Sequence, residues 1–184
     1  MRKSPEIEIN DYEKPINELV GKSIIDVNYY EIDYGKPMWN ESEFHTLDFG
    51  LEIIMSDKTC YYFIWDSKFT QFDIKFGKGS ISKELNSEHY PKKQSVKNEQ
   101  KWVDLIGQEI SGTKSFWSYW TLNNDDKKNH YPQDIKLKFD NGKEIWISAL
   151  EIKNDSPIGM TDNITVIFDK ETADKYKIGM KNVV

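Results

Sequence analysis

The sequence has little cysteine and no long apolar run. Of its 184 residues only Cys60 is a cysteine. A single cysteine cannot form an internal disulfide or a cysteine-based metal framework, and this usage favours a reducing compartment. The longest uninterrupted apolar or aromatic run is residues 60–65, whereas a membrane-spanning helix needs roughly 20 such residues. We therefore expect a cytoplasmic protein that does not cross a membrane.

Excess positive charge is also missing. The chain carries 25 lysine and arginine residues against 31 aspartate and glutamate residues, which gives a formal net charge of −6. Nucleic-acid binding normally needs a concentrated lysine and arginine surface that replaces the counterions around phosphates. The sequence therefore argues against a nucleic-acid partner.

The motifs that identify common enzymes and metal sites do not occur. The sequence contains no Gly-x-Ser-x-Gly, His-Glu-x-x-His or Cys-x-x-Cys pattern, and these patterns carry the most specific signals for nucleophilic and zinc chemistry. Residues 77–80 read Gly-Lys-Gly-Ser but lack the spacing of a phosphate-binding loop, so they predict a turn. The sequence implies no cofactor and no catalytic residue, and it favours a protein that is not an enzyme.

A repeated pattern is present. Residues 16–21 align with residues 102–107, and residues 51–65 align with residues 135–149 after a slip of two positions. Within each half, apolar and polar residues alternate with the period of two that indicates half-buried strands, as in residues 134–140. We predict a mainly β, β-rich α+β fold made of two tandem similar halves, each with about four antiparallel strands. The alternative, that strand-turn-strand units align by their period alone, remains open.

Short helical turns and a connector complete this prediction. Pro15 and Gly21 suit the start and stop of a helical turn before the first half, and a counterpart precedes the second half between Asn98 and Gly107. Asp169 can cap a third helix, over residues 170–176. The expected division is 1–80, a connector at 81–100, and 101–184, with one continuous compact domain as the alternative. The predicted strands are 23–34, 51–55, 61–65, 71–77, 109–120, 134–140, 143–150 and 163–168.

Acidic side chains concentrate in residues 23–57, which hold eight carboxylates and one lysine. Such a segment would create a negative field that attracts basic partners, and nearby tyrosine and tryptophan rings are typical of binding hot spots. We expect a non-enzymatic module that binds a basic protein. A solvated acidic face that serves solubility is the alternative. The candidate partner-binding residues are Asp26, Glu31, Asp33, Glu41 and Glu43 for charge, and Tyr30, Tyr34 and Trp39 for contact area.

In size, acidity and aromatic content the chain resembles the bacterial immunity proteins, which neutralise a basic nuclease or another toxin. The resemblance is one of type, because no sequence motif carries it. It implies an acidic cytoplasmic protein whose partner is a basic protein.

A metal site is one alternative function. Glu41, Glu43 and His45 would project to the same side of an extended chain, and Asp48 follows closely. Carboxylate oxygens and an imidazole nitrogen are suitable ligands for several divalent metals. This pattern permits a metal-dependent hydrolase built around His45 with Glu43 and Asp48.

A small-ligand carrier is the other alternative. Residues 116–120 place large rings on both faces of one predicted strand, so one set must be covered by something other than a single core. Trp146 and Tyr62 also point away from the inward faces of their strands. A second layer of the chain could cover these rings, or a ligand cavity could be lined by Phe116, Trp117, Tyr119 and Trp120.

Overall fold

A computed structural model describes residues 5–37, 39, 43–85, 91–121 and 128–180. Along these ranges the chain forms twelve strands and three α-helices, which confirms the predicted mainly β, α+β fold class. None of the helices in these ranges is long and apolar enough to cross a membrane. The strands are β1 (Ile24–Glu31), β2 (Phe44–Leu47), β3 (Gly50–Met55), β4 (Cys60–Asp66), β5 (Asp73–Lys78), β6 (Lys92–Ser95), β7 (Ile110–Trp120), β8 (Asn129–Phe139), β9 (Glu144–Ser148), β10 (Leu150–Lys153), β11 (Ser156–Gly159) and β12 (Ile164–Ile167). The helices are α1 (Pro5–Asn17), α2 (Gln100–Val103) and α3 (Lys170–Lys175), with a 3-10 turn at Ile81–Lys83.

Two five-stranded antiparallel sheets share one hydrophobic core. Their strand orders are β5-β4-β3-β1-β6 and β2-β12-β9-β8-β7, and β10 and β11 form a separate hairpin. Alternate side chains of both sheets point into the core, as the period-two pattern predicts. Each large apolar side chain buried there contributes roughly 1.5–3 kcal/mol relative to exposure. Fully buried members from the two sheets are Val27, Tyr29, Ile53, Phe63, Ile135, Leu137 and Ile147.

The two sheets repeat one strand arrangement. The order β5-β4-β3-β1 in the first sheet matches β12-β9-β8-β7 in the second. The register shifts between Ile24 and Asp26 in β1 and at the corresponding place in β7, between Ile110 and Gly112. The following hairpin turns correspond as well, because Met55 N–H donates to the Thr59 carbonyl and Phe139 N–H donates to the Lys143 carbonyl, each at 2.9 Å.

The starts of β1 and β7 also contact each other in a reciprocal way. Ser23 and Glu109 form a single antiparallel bridge. Gly21 N–H donates to the Ile110 carbonyl at 2.9 Å, and Gly107 N–H donates to the Ile24 carbonyl at 2.7 Å. This reciprocal exchange is consistent with the predicted repeat.

One strand crosses between the halves, since β2 of the first half pairs with β12 of the second sheet. A strand of the connector, β6, joins the first sheet by pairing with β1. The segment 81–100 is therefore more than the exposed connector that its composition predicts, since it supplies β6 and the fully buried Ile81. The strand was not predicted because β6 is an edge strand with largely exposed side chains, so its sequence is polar and shows no apolar alternation. The division at 81–100 stays a prediction.

The helices match the prediction in position but not always in length. Asp169 accepts a hydrogen bond from Thr172 N–H at 2.8 Å, so it caps α3 as expected. The first helix begins at Pro5 and includes Pro15 near its end, instead of starting at Pro15. The first-turn position that suits a proline is taken by Pro5.

The outward rings of both sheets are covered by small outer layers. Trp146 is buried against Ile167 of β12 and against Tyr176 and Ile178, which follow the end of α3. Tyr62 is buried with Tyr30 and Ile81 on the other sheet. A second layer of the chain, one of the two explanations that the sequence leaves open, therefore accounts for Trp146 and Tyr62.

Candidate functional site

Two of the aromatic residues predicted to contact a partner are buried within the chain itself. Trp39 is 5% exposed and packs edge-on against Tyr29, and Tyr30 is 3% exposed. The prediction that these two side chains contact a partner is therefore corrected, because both pack inside the chain and expose almost no surface. Tyr34 is 51% exposed and remains available for contact.

Lysines from elsewhere in the chain compensate much of the acidic segment. Asp26 is also engaged, since it accepts a hydrogen bond from the Ser95 hydroxyl at 2.7 Å. Glu41 lies outside the described residues. The paired lysines offset part of the negative charge of this segment, so the surface is less negative than the sequence predicts. The pairs are Asp33–Lys92 at 3.0 Å, Glu43–Lys175 at 3.1 Å, Glu52–Lys93 at 3.1 Å and Asp57–Lys22 at 2.5 Å.

Negative charge concentrates instead in a cleft of about 570 Å³, which we call the acidic cleft. It lies where the end of β1, the strand β2, the β10–β11 hairpin and the end of α3 meet. Of the described residues that line it, five are acidic and two are lysines. The charged lining residues are Glu31, Glu43, Asp48, Glu151, Lys153, Asp155 and Lys175, and the rings are Tyr34, Phe44 and Tyr176.

A pair of carboxyl groups forms one wall of the acidic cleft. Glu31 is only 8% exposed, and its Oε2 accepts the backbone N–H of Asp48 at 3.4 Å. Asp48 is held in turn by Ile32, whose N–H donates to Oδ2 at 2.9 Å. Burial, followed by the side chain of Asp48, raises the pKa of Glu31 to about 9. Glu31 therefore carries a proton at neutral pH.

One oxygen of this pair is left without a partner. Glu31 Oε1 is buried and makes no hydrogen bond to any residue that the structure describes. A buried polar atom of this kind normally costs about 1–3 kcal/mol. When Glu31 ionises, Oε1 becomes an acceptor that a donor group from outside the chain could satisfy.

A cation of the chain already lies in the acidic cleft. Lys175 Nζ donates to Glu43 at 3.1 Å and lies 3.4 Å from Asp155, while its ammonium sits 4.7 Å from the centre of the Tyr176 ring. Tyr176 donates its hydroxyl to Asp155 at 3.1 Å. Tyr176 and Glu43 raise the pKa of Lys175. The acidic cleft thus uses carboxylates together with a ring to hold an ammonium group.

The hairpin that supplies Glu151 and Asp155 was not predicted from the sequence. Asn154 and Asp155 have φ values of 50° and 56°, as the two central residues of a type I′ hairpin turn require. The Asn-Asp dipeptide was the available signal, since both residues tolerate this conformation well. The flanking segments are short and largely exposed, so alternation gave no second signal.

The three residues of the metal alternative do not come together. His45 is 1% exposed and lies in the core, where its Nδ1 is 2.8 Å from the Tyr29 hydroxyl. Burial lowers the pKa of His45 to about 4. Glu43 instead pairs with Lys175, and Asp48 pairs with Glu31. Within the described ranges no group of three His, Cys, Asp or Glu side chains is arranged to hold a metal ion.

Part of the predicted aromatic cavity exists. Phe116 and Trp117 line a second cleft of about 550 Å³, which also includes Asp134, Lys177 and Met180 and which we call the apolar cleft. It opens beside α3 instead of lying between the sheets. Tyr119 is 41% exposed and does not line it, and the ammonium of Lys128 lies 4.4 Å from the centre of the Tyr119 ring. Trp120, the fourth predicted ring, does not line it either.

The chain was compared with protein-family models, with curated proteins and with solved structures, and nothing in any of the three sets matches it.

Proposed function

We propose that this protein is a non-enzymatic binding module that captures a basic protein partner in its acidic cleft. One observation carries the proposal, namely the buried Glu31 carboxyl, which lines a cleft rich in acidic groups and whose Oε1 has no partner among the described residues. A cationic side chain from a partner would satisfy this oxygen and the excess charge together.

The charges of the acidic cleft support a cationic ligand over a neutral one. With Glu31 protonated, the cleft lining holds four carboxylates against the two cations Lys153 and Lys175, which leaves a formal charge of −2 to face an incoming group. Excess negative charge in a cleft speeds the association of a basic partner and selects against acidic ones.

Exposed apolar surface beside the cleft supports a protein partner. Tyr34 is 51% exposed and the neighbouring Ile32 is 44% exposed. Exposed rings beside charged groups are typical of protein interfaces. Of the residues predicted from the sequence, the proposal retains Glu31, Glu43 and Tyr34, adds Asp48, Glu151 and Asp155, and no longer depends on Asp26, Asp33, Tyr30 or Trp39.

Neutralisation of a basic toxin in the bacterial cytoplasm is the role that we propose for such a module. The resemblance in size, acidity and aromatic content to immunity proteins supports this role. The partner in that case would be a basic nuclease or another basic toxin, and the module would bind it by charge and shape without acting on it.

The test compares two double variants that remove the same charge. Glu151→Gln with Asp155→Asn removes two negative charges from the acidic cleft. Asparagine tolerates the left-handed backbone at position 155. Glu109→Gln with Asp140→Asn removes one glutamate and one aspartate from exposed positions that do not line the cleft. Each tagged variant is used to capture partners from a lysate of the native host, with washes of rising salt.

We expect a basic protein that the wild type and the control variant retain at low salt, and that the cleft variant loses. A more weakly bound partner should be released at a lower salt concentration, because screening weakens exposed charge pairs. Equal capture by both variants would show that the acidic cleft is not the binding site.

A small apolar ligand is a second candidate function, supported by the apolar cleft. Met180 is 57% exposed beside the buried rings of Phe116 and Trp117. A ligand in this cleft would change the fluorescence of Trp117, and Trp117→Phe would remove that change. A broad set of apolar ligands that leaves the tryptophan emission unchanged would remove this candidate.

A further inference from the structure

We propose that the acidic cleft receives a single arginine side chain of the partner, and that its guanidinium pairs with the carboxyl groups of Glu31 and Asp48. This inference rests on the proposed function, because it names the group that the partner inserts.

The first argument is geometric. Glu31 Oε1 is a buried oxygen without a partner in the described part of the chain. Asp48 is anchored from both sides, by the N–H of Ile32 and through its own N–H to Glu31 Oε2. The Asp48 side chain also acts directly on the Glu31 carboxyl, so the two carboxyl groups lie close together, and a ligand that pairs with both must present two donors.

The second argument concerns the type of cation. A guanidinium has a planar fork of N–H donors that matches carboxylate oxygens two at a time, whereas an ammonium is a point charge. A guanidinium also stacks on aromatic faces, and Tyr34 lines the same cleft with half of its surface exposed. The ammonium of Lys175 already pairs with Glu43 and Asp155, so the site left for an incoming cation is the one beside Glu31.

The third argument is the balance of protons. Glu31 is protonated in the free protein at neutral pH because of its burial beside Asp48. When a guanidinium binds, the O–H bond of Glu31 breaks, the proton passes to the buffer, and the carboxylate pairs with the cation. Arginine itself keeps its charge throughout. The other charged groups that line the cleft are Glu43, Asp48, Glu151, Lys153, Asp155 and Lys175.

The experiment is calorimetric titration of the full chain with a capped hexa-arginine peptide at low salt, near pH 7.4, in buffers of different ionisation enthalpy. The dependence of the observed heat on the buffer gives the number of protons released. We expect about one proton per bound peptide for the wild type. Glu31→Gln should release none and should bind about tenfold weaker or more.

A capped hexa-lysine peptide is the matched control ligand. We expect it to bind more weakly and to release fewer protons, because it lacks the paired donors. Equal affinity and equal proton release for the two peptides would overturn the assignment to arginine.

Two other results separate this inference from the proposed function. Hexa-arginine that binds in a manner sensitive to Glu151→Gln with Asp155→Asn, but with no proton release from the wild type, would overturn the inference and leave the proposed function standing. Binding that is undetectable, or equal in the cleft and control variants, would overturn both. The wild-type proton count needs no variant, so it decides the question even where Glu31→Gln does not fold.

Discussion

The carboxyl pair in the acidic cleft makes a quantitative prediction about how stability depends on pH. In the unfolded chain Glu31 ionises above its ordinary pKa of 4.5, whereas in the folded chain the pKa is raised to about 9. Between these values the folded state binds the extra proton, so the free energy of unfolding must fall as pH rises. Glu31→Gln removes this titration while keeping the shape of the side chain and a donor for Asp48.

The size of the effect follows from the linkage relation. One titrating group changes the free energy of unfolding by about 1.4 kcal/mol per pH unit. Glu31 is 8% exposed, so solvent screening reduces this slope little. The free energy of unfolding of Glu31→Gln, relative to that of the wild type, should therefore rise by about 2 kcal/mol between about pH 7 and 9. This window excludes the titrations of His45 and Asp134, whose folded pKa values are about 4 and about 6.

The assay is urea unfolding followed by tryptophan fluorescence at several pH values in this window. Glu43→Gln is the matched control, since Glu43 lines the same cleft but is exposed and pairs with Lys175. Its curve should run parallel to that of the wild type. Parallel curves for the wild type and Glu31→Gln would refute the reasoning, because they would show that Glu31 is ionised in the folded protein at neutral pH.

Two further predictions concern the core and the repeat. Tyr29→Phe should lower the free energy of unfolding by about 2–3 kcal/mol, since Trp102 donates to the Tyr29 hydroxyl at 2.6 Å and His45 Nδ1 lies 2.8 Å from it. A loss below about 0.5 kcal/mol in urea unfolding would contradict this role. Gly142→Ala should cost about 1 kcal/mol, because Gly142 has a φ of 83°. Lys58, at the matching turn position, has a φ of 67°, so Lys58→Gly should change stability by less than about 0.5 kcal/mol, as relief of strain offsets the added chain entropy. If thermal unfolding showed a larger loss of stability for Lys58→Gly than for Gly142→Ala, the two turns would not be equivalent.

The fold was predictable where alternation is strong. Residues 134–140 alternate between apolar and charged side chains. All but the last of them lie in β8, where Ile135, Leu137 and Phe139 are buried. The strands that escaped prediction are short or polar. For example, β6 reads Lys-Lys-Gln-Ser, and it forms a strand because the edge of β1 offers free hydrogen-bonding groups, which no local pattern encodes.

The candidate site was predictable only in part. Glu31, Tyr34 and Glu43 were expected from the acidic segment, and they line the acidic cleft. Glu151 and Asp155 lie more than a hundred residues further along the chain, and they reach the same place because β2 pairs with β12 in the other sheet. Such long-range pairing depends on the tertiary fold.

Charge counting along the chain also overestimated the negative face. Asp33 and Glu52 each pair with a lysine of β6. These lysines lie about 40 to 60 residues away in sequence, so a local window shows the acids without their partners.

The most direct test of the central claim is an amide chemical-shift titration of the ¹⁵N-labelled chain with capped hexa-arginine at low salt. The acidic cleft predicts that the largest shifts cluster at Ile32, Tyr34, Asp48 and Asp155, and that Glu151→Gln with Asp155→Asn abolishes them while the control variant retains them. Shifts that are spread over the whole surface, or that centre on Phe116 beside the apolar cleft, would contradict it.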